Sequence, residues 1–171
     1  LADLEHAHVR IEQMLAKLKQ VDPKGIATFN HVYEPARGGA TISTTTSIAM
    51  APVGKKTQAR IGLVDARVNA NHPMLRNVHV SSKTFGIASS TDEEHGTAVA
   101  SRIAEAAPGA NLVVASVFSA LSNGQEMASV DAIVRALNWL SVNNVPVINL
   151  SLAGPPNAIL ENVTAKLIAK G

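Results

Sequence analysis

Three polar side chains stand where apolar runs end or turn. Asp65 follows Ile61-Gly62-Leu63-Val64, His95 lies in Asp92-Glu93-Glu94-His95-Gly96-Thr97, and Ser151 sits in Val147-Ile148-Asn149-Leu150-Ser151-Leu152-Ala153-Gly154. A carboxylate, an imidazole and a hydroxyl are the parts of acid–base and acyl-transfer chemistry. A carboxylate at the end of a buried strand emerges where parallel-sheet proteins place functional groups, though many such aspartates only cap the next turn. A helix dipole disfavours the protonated form of a histidine at a helix start, which suits a general base; a solvated histidine beside an acidic cap has the same local sequence. Ser151 is a poor nucleophile candidate, because it lies within a strand-like run rather than on a sharp strand-to-helix elbow with flanking glycines. A metal site at Asp92, Glu93, Glu94 and His95 is disfavoured, since adjacent side chains diverge and no second histidine stands at a ligand spacing.

The elements that must position these groups alternate. Ile61–Val64, Leu112–Phe118 and Val145–Leu152 read as buried strands, with helical stretches at His95–Ala106 and Glu126–Asn143 between them. The second stretch puts Val130, Ile133, Val134, Leu137 and Leu140 on one face. Strand and helix in alternation predict an α/β fold with a doubly wound parallel sheet, and ligands at the carboxyl ends of its strands. Pro155–Gly171 reads as a further helix. Ahead of this lies an amphipathic helix over residues 1–20, a turn at Asp22-Pro23-Lys24-Gly25, and strand-like alternation over Ala27–Tyr33. Residues 36–56 shift to Gly38-Gly39, a Ser/Thr run and Pro52, the composition of an exposed linker; the β-branched threonines also suit an edge strand.

Composition narrows the function classes. The 171 residues are 46% hydrophobic and 16% charged, which excludes disorder for most of the length. Fifteen Lys+Arg against thirteen Asp+Glu leave a net charge of +2, and five aromatic residues supply little base stacking, so no nucleic-acid partner is expected. The absence of cysteine removes thiolate metal sites and a cysteine nucleophile. No run approaches the roughly 20 apolar residues of a membrane span. No Gly-x-Gly-x-x-Gly or phosphate loop follows a strand, which disfavours a nucleotide-binding domain. The N-terminus, without a basic region and apolar run, looks internal to a longer precursor.

Several segments in order resemble the subtilisin-like serine proteases, the subtilases. Val64-Asp65 followed by Asn71-His72-Pro73-Met74-Leu75 is similar to their aspartate motif, and His95-Gly96-Thr97-Ala98-Val99-Ala100 to their histidine motif. Ala107-Pro108-Gly109-Ala110 resembles the link after that helix, and Val147–Gly154 the substrate-binding strand. The resemblance implies that Asp65 orients His95, that His95 acts as the general base, and that Ser151, Leu152, Ala153 and Gly154 pair with an extended polypeptide substrate. It also implies that the Asp65 and His95 side chains lie about 2.6–3.2 Å apart. Leu15–Pro23 and Ala27–Pro35 resemble the last helix and strand of a subtilase propeptide, whose tail lies in the active-site cleft. The expected organisation is therefore 1–36 as the end of a propeptide, 37–59 as a linker, and 60–171 as the N-terminal half of the catalytic domain, with self-cleavage expected between Ala36 and Lys56.

The departures are specific. Ala66-Arg67 replaces the family's Thr/Ser-Gly after the aspartate, Ala98 and Ser101 replace a histidine and a glycine, and Ala153 replaces a glycine. The Asn-rich insertion that forms a calcium loop is absent, so neither calcium nor any other cofactor is expected. The family's oxyanion asparagine and its Gly-Thr-Ser-Met-Ala nucleophile motif would lie beyond Gly171. The implied function is that of a serine endopeptidase whose Asp and His are in this chain and whose Ser is outside it, leaving residues 1–171 inactive alone. A second chain or a C-terminal continuation would complete the domain, and would cover a sheet edge and helix faces otherwise left exposed. The alternative is a non-catalytic subtilase-like module that binds peptides or inhibits. The resemblance implies a secreted or periplasmic location.

Overall fold

The computed structural model describes residues 2–36, 56–87 and 92–170, with side chains from residue 10 onward. The expected linker at 37–59, with its alternative of an edge strand, falls almost wholly outside the described residues. In chain order the first elements are α1 (Ala2–Val21), β1 (Val32–Pro35), β2 (Arg60–Asp65), a 3-10 turn at Pro73–Leu75, β3 (His79–Thr84) and α2 (Glu94–Ala106). They are followed by β4 (Asn111–Ser116), β5 (Ser119–Ala120), β6 (Glu126–Ser129), α3 (Val130–Val142), β7 (Val147–Leu150), β8 (Leu152–Ala153) and α4 (Ala158–Lys170). The chain forms two compact units, Leu1–His31 with Pro156–Gly171, and Val32–Pro155.

The smaller unit contains α1 and α4. The Asp22 carboxylate accepts from the backbone N–H groups of Lys24 (3.2 Å) and Gly25 (3.0 Å), a local turn that ends α1. Asn157 caps α4: its Oδ1 accepts from the N–H of Ile159 and of Leu160, while its Nδ2 donates to the Phe29 carbonyl at 3.0 Å. Residues 27–31, where strand-like alternation begins, form no strand. The strand starts at Val32, because only Val32–Pro35 find ladder partners.

The larger unit holds two sheets. A parallel sheet has the order β3-β4-β2-β7, so the mixed α/β class with a parallel sheet is observed. Strand alternation sends Leu63, Leu112 and Val114 to one face, where Leu75, Ala100 and Ala104 join them in a buried cluster under α2. On the other face, the position of a Cβ on Gly62 would lie 3.2 Å from Leu140 of α3 and from Val145, so α3 packs tightly over this glycine. Helices thus cover both faces, and each fully buried leucine contributes roughly 1.5–3 kcal/mol. The antiparallel sheet has the order β5-β6-β1-β8.

Two further elements differ from the sequence reading. Glu126–Ser129, expected to be helical, is strand β6, and α3 begins after it with the Ser129 hydroxyl accepting from the Ala132 N–H at 3.2 Å. His79–Thr84 is a strand with no apolar alternation, because it lies at the sheet edge with most of its side chains in water.

Candidate active site

Asp65 is the last residue of β2, and the parallel pairing of β2 with β4 and β7 carries it to the carboxyl edge of the sheet. His95 is the second residue of α2. The loop after Asp65 and the start of α2 are pressed together. A Cβ on Gly96 would lie 2.7 Å from the Ala66 carbonyl oxygen and closer still to that of Arg67, so only glycine permits this approach. The buried Thr97 hydroxyl accepts from the Asn69 N–H at 2.9 Å and fixes the same loop to the helix. Gly96 and Thr97 therefore set the distance between the carboxylate and the imidazole.

At that distance the His95 Nδ1–H donates to Asp65 Oδ1 at 2.7 Å. The same oxygen accepts from the Ala66 N–H at 2.5 Å. The Asp65 side chain is wholly buried and that of His95 is 17% exposed, so the carboxylate works in a dry environment while the ring keeps one edge open. Burial pushes the Asp65 pKa above its ordinary 3.8, against the opposing pull of the Ala66 N–H, His95 and the Ser151 hydroxyl. Oδ2 is buried without a partner of hydrogen-bond geometry among the described residues. The Ser151 hydroxyl accepts from Asn149 Nδ2 at 2.7 Å, which leaves its own proton free to turn towards that carboxylate.

Ser151 lies beside this pair, and a segment of the same chain is paired with Ser151, Leu152 and Ala153. β1 runs antiparallel to β8 with Glu34 opposite Ala153 and Pro35 opposite Leu152. The ladder continues as the Ala36 N–H donates to the Ser151 carbonyl at 3.0 Å. The Ala36 carbonyl oxygen then lies 3.2 Å from His95 Nε2. On its other edge β1 pairs with β6. Sequence reasoning placed Asn149 in the substrate-binding strand and Tyr33 in the propeptide strand without giving either a role of its own, and missed Ala128. The only signal for Tyr33 was its being the single tyrosine, in a short extended run before Pro35.

Where the family's histidine motif is altered, small side chains border open space. Ala98 and Ser101 line a cleft of about 510 Å³ between α2 and the loop carrying Asn69, His72 and Met74. Among the described residues no group of three or more His, Asp or Glu side chains is arranged to hold a metal ion. Arg67, in place of a glycine, reaches the exposed Glu93 at 3.6 Å, on the rim of the site.

The sequence model of the Subtilase family matches residues 56–168. Subtilisin DY of Bacillus licheniformis is 30% identical over 128 residues, covering 68% of this chain and 45% of that protein. Subtilisin E of Bacillus subtilis (strain 168) is 27% identical over 130 residues, covering 67% of this chain and 32% of that protein. The chain thus spans less than half the length of these relatives. With a family match over most of its length, enclosing the buried carboxylate, the histidine beside it and the strand they border, the chain belongs to the subtilase family.

Proposed function

We propose that the chain carries the Asp–His part and the substrate strand of a serine endopeptidase acting on polypeptides. The observation that carries this reading is the 2.7 Å bond from His95 Nδ1 to the buried Asp65, with Nε2 left at the mouth of a strand-pairing groove. Asp65 would fix the tautomer that presents Nε2 and would stabilise the imidazolium formed when the ring takes a serine proton. Ser151–Gly154 would align the substrate backbone by strand addition. The nucleophilic serine and the oxyanion asparagine would come from a C-terminal continuation or a second chain, and residues 1–171 alone would be inactive. Residues 1–36 would be the end of a propeptide, 37–59 a linker and 60–171 the first half of the catalytic domain. While β1 lies in the groove, the Ala36 carbonyl oxygen stands 3.2 Å from Nε2 and would keep substrate out, which would be inhibition in cis. The reading includes a secreted or periplasmic location; among the described residues no helix is long and apolar enough to cross a membrane.

The test is to express the chain with its natural continuation, remove residues 1–36 and treat the product with a fluorophosphonate. Labelling of one serine is expected, and His95→Ala should reduce the rate of labelling by about 10²–10⁴-fold, the usual contribution of a general base. No labelling at any serine overturns the reading. Ala153, in place of a glycine beside the substrate backbone, favours a second reading as a non-catalytic peptide-binding or inhibitory module. That reading predicts retained peptide binding without labelling.

A further inference from the structure

The two oxygens of Asp65 are unequally served. Oδ1 accepts from the Ala66 N–H and from His95, whereas Oδ2 is buried without a partner of hydrogen-bond geometry among the described residues. We propose that Asn149 is a positioning residue for the Asp–His pair: its amide holds the Ser151 hydroxyl in the orientation that donates to Asp65 Oδ2. The proposal rests on the endopeptidase reading and adds to it a residue that acts through Ser151, without touching substrate or the imidazole.

Strand register brings these groups together. In the parallel ladder Leu63 of β2 stands beside Asn149 of β7 and Val64 beside Leu150, and the Ser151 N–H extends the pairing to the Val64 carbonyl at 3.3 Å. Side chains alternate across a strand, so Asp65 and Ser151, each two residues beyond the Leu63–Asn149 pair, come side by side on the face that α2 covers. His95, at the start of α2, meets Asp65 from the same face.

Donor and acceptor chemistry then fixes the direction of each bond. An ionised carboxylate only accepts, and a buried oxygen of it needs a proton from a neighbour. Ala66 offers no donor beyond its N–H, because it stands where the family has a threonine or serine. Ser151 is the hydroxyl within reach of the carboxylate, and it has one proton to give. Alone, that hydroxyl could turn to any acceptor. Asn149 Nδ2 donates to Ser151 Oγ at 2.7 Å, which engages the hydroxyl as an acceptor, keeps its proton for Oδ2 and strengthens it as a donor. With the amide turned the other way, Asn149 Oδ1 would take the serine proton and Oδ2 would stay buried and unpaired. The chain of bonds from Asn149 through Ser151 to Asp65 satisfies both the hydroxyl and the carboxylate.

The first measurement uses residues 1–171 and needs no serine from elsewhere: the Asp65 carboxyl carbon is followed by NMR against pH. A carboxylate that loses a donor binds a proton more readily. Asn149→Ala and Ser151→Ala should therefore each raise the Asp65 midpoint by about one unit, the effect of one hydrogen bond to a charged group. Asn149→Asp keeps the size of the amide and so guards against a packing defect; its carboxylate draws the serine proton away from Asp65 and should raise the midpoint at least as far. Because Asn149 acts only through Ser151, Asn149→Ala should add nothing in a Ser151→Ala background. In the chain joined to its continuation, the same variants should move the acid limb of the fluorophosphonate-labelling profile to higher pH, slowing labelling on that limb about 10-fold while the plateau changes less. An unchanged midpoint in Asn149→Ala, or a shift that adds to that of Ser151→Ala, overturns the inference and leaves the endopeptidase reading standing. The absence of serine labelling in the completed parent overturns that reading, and the catalytic part of the inference with it.

Discussion

Asp65 combines two demands that oppose each other. Orienting His95 in the proposed enzyme would require an ionised carboxylate, yet burial favours the neutral acid and holds its pKa above 3.8. Below pH 3.8 the folded and unfolded chains both keep the proton. As pH rises through the raised value in the folded chain, the carboxyl must ionise inside the protein, and the stability associated with its neutral form is lost. Asp65→Asn removes that cost. Its amide oxygen can still accept from the Ala66 N–H and His95, while its NH₂ takes the place of Oδ2 near the Ser151 hydroxyl. The variant should therefore melt higher than the parent at neutral pH, with the gap closing as pH falls below 3.8; each kcal/mol amounts to about 2–4 °C. In the completed enzyme, kcat should fall about 10⁴-fold. Calorimetry from about pH 3 to 7 checks the first expectation, and an equal or lower midpoint at neutral pH would refute it. That Asp65 ends a buried strand and His95 opens a helix was legible because each adjoins a strongly patterned element. The fit of Tyr33 was not, since Gly154, Ala128 and the Pro155 carbonyl meet it only through pairings between distant segments.

At the scale of elements, the site depends on how closely α2 seats against the loop leaving β2. That seat has no slack: the backbone oxygens of Ala66 and Arg67 occupy the space of a side chain at Gly96. Gly96→Ala must push the helix start away from the loop, lengthening the Asp65–His95 contact and straining the Thr97–Asn69 bond. We expect a loss of about 1–3 kcal/mol in urea unfolding, typical of overpacking, together with slower serine labelling in the completed enzyme. Wild-type values for both would show that the seat yields freely. The elements carrying the site were legible because each has one strong period. β2 is a continuous apolar run, and α2 presents Ala100 and Ala104 to the core at helical spacing. β3 and β6 were hidden for different reasons. Edge position makes Ser81, Ser82 and Lys83 acceptable in β3, while Glu126–Ser129 runs straight into the helical period of α3 and is separated from it only by the Ser129 cap. Likewise the N-terminal strand is shifted to Val32–Pro35, because partners on β6 and β8 decide its limits and local alternation does not.

At the scale of the whole molecule, each unit leaves apolar surface in water. In the smaller unit α4 buries no residue, and Val21 and Ile168 are among the most exposed large hydrophobic side chains. In the larger unit β7 forms one edge of the parallel sheet, pairing among the described residues with β2 on one side only, and its Val147 is 59% and its Leu150 41% exposed. An edge strand with free N–H and C=O groups and apolar side chains is a template for another strand. In the proposed enzyme that strand comes from the C-terminal continuation or a second chain. When residues 1–171 are isolated, the available strand is β7 of another copy, so the chain should self-associate as concentration rises. Val147→Lys puts a charge on that edge where the side chain faces water. It should suppress association while changing stability by no more than about 0.5 kcal/mol, the usual range for a surface substitution. Sedimentation velocity across a concentration series separates the outcomes. A parent chain that stays monomeric, or a Val147→Lys chain that associates as strongly as the parent, would show that β7 is not the adhesive edge. Suppression by Val147→Lys, and equally by joining the chain to its natural continuation, would identify β7 as the place where the rest of the sheet is added.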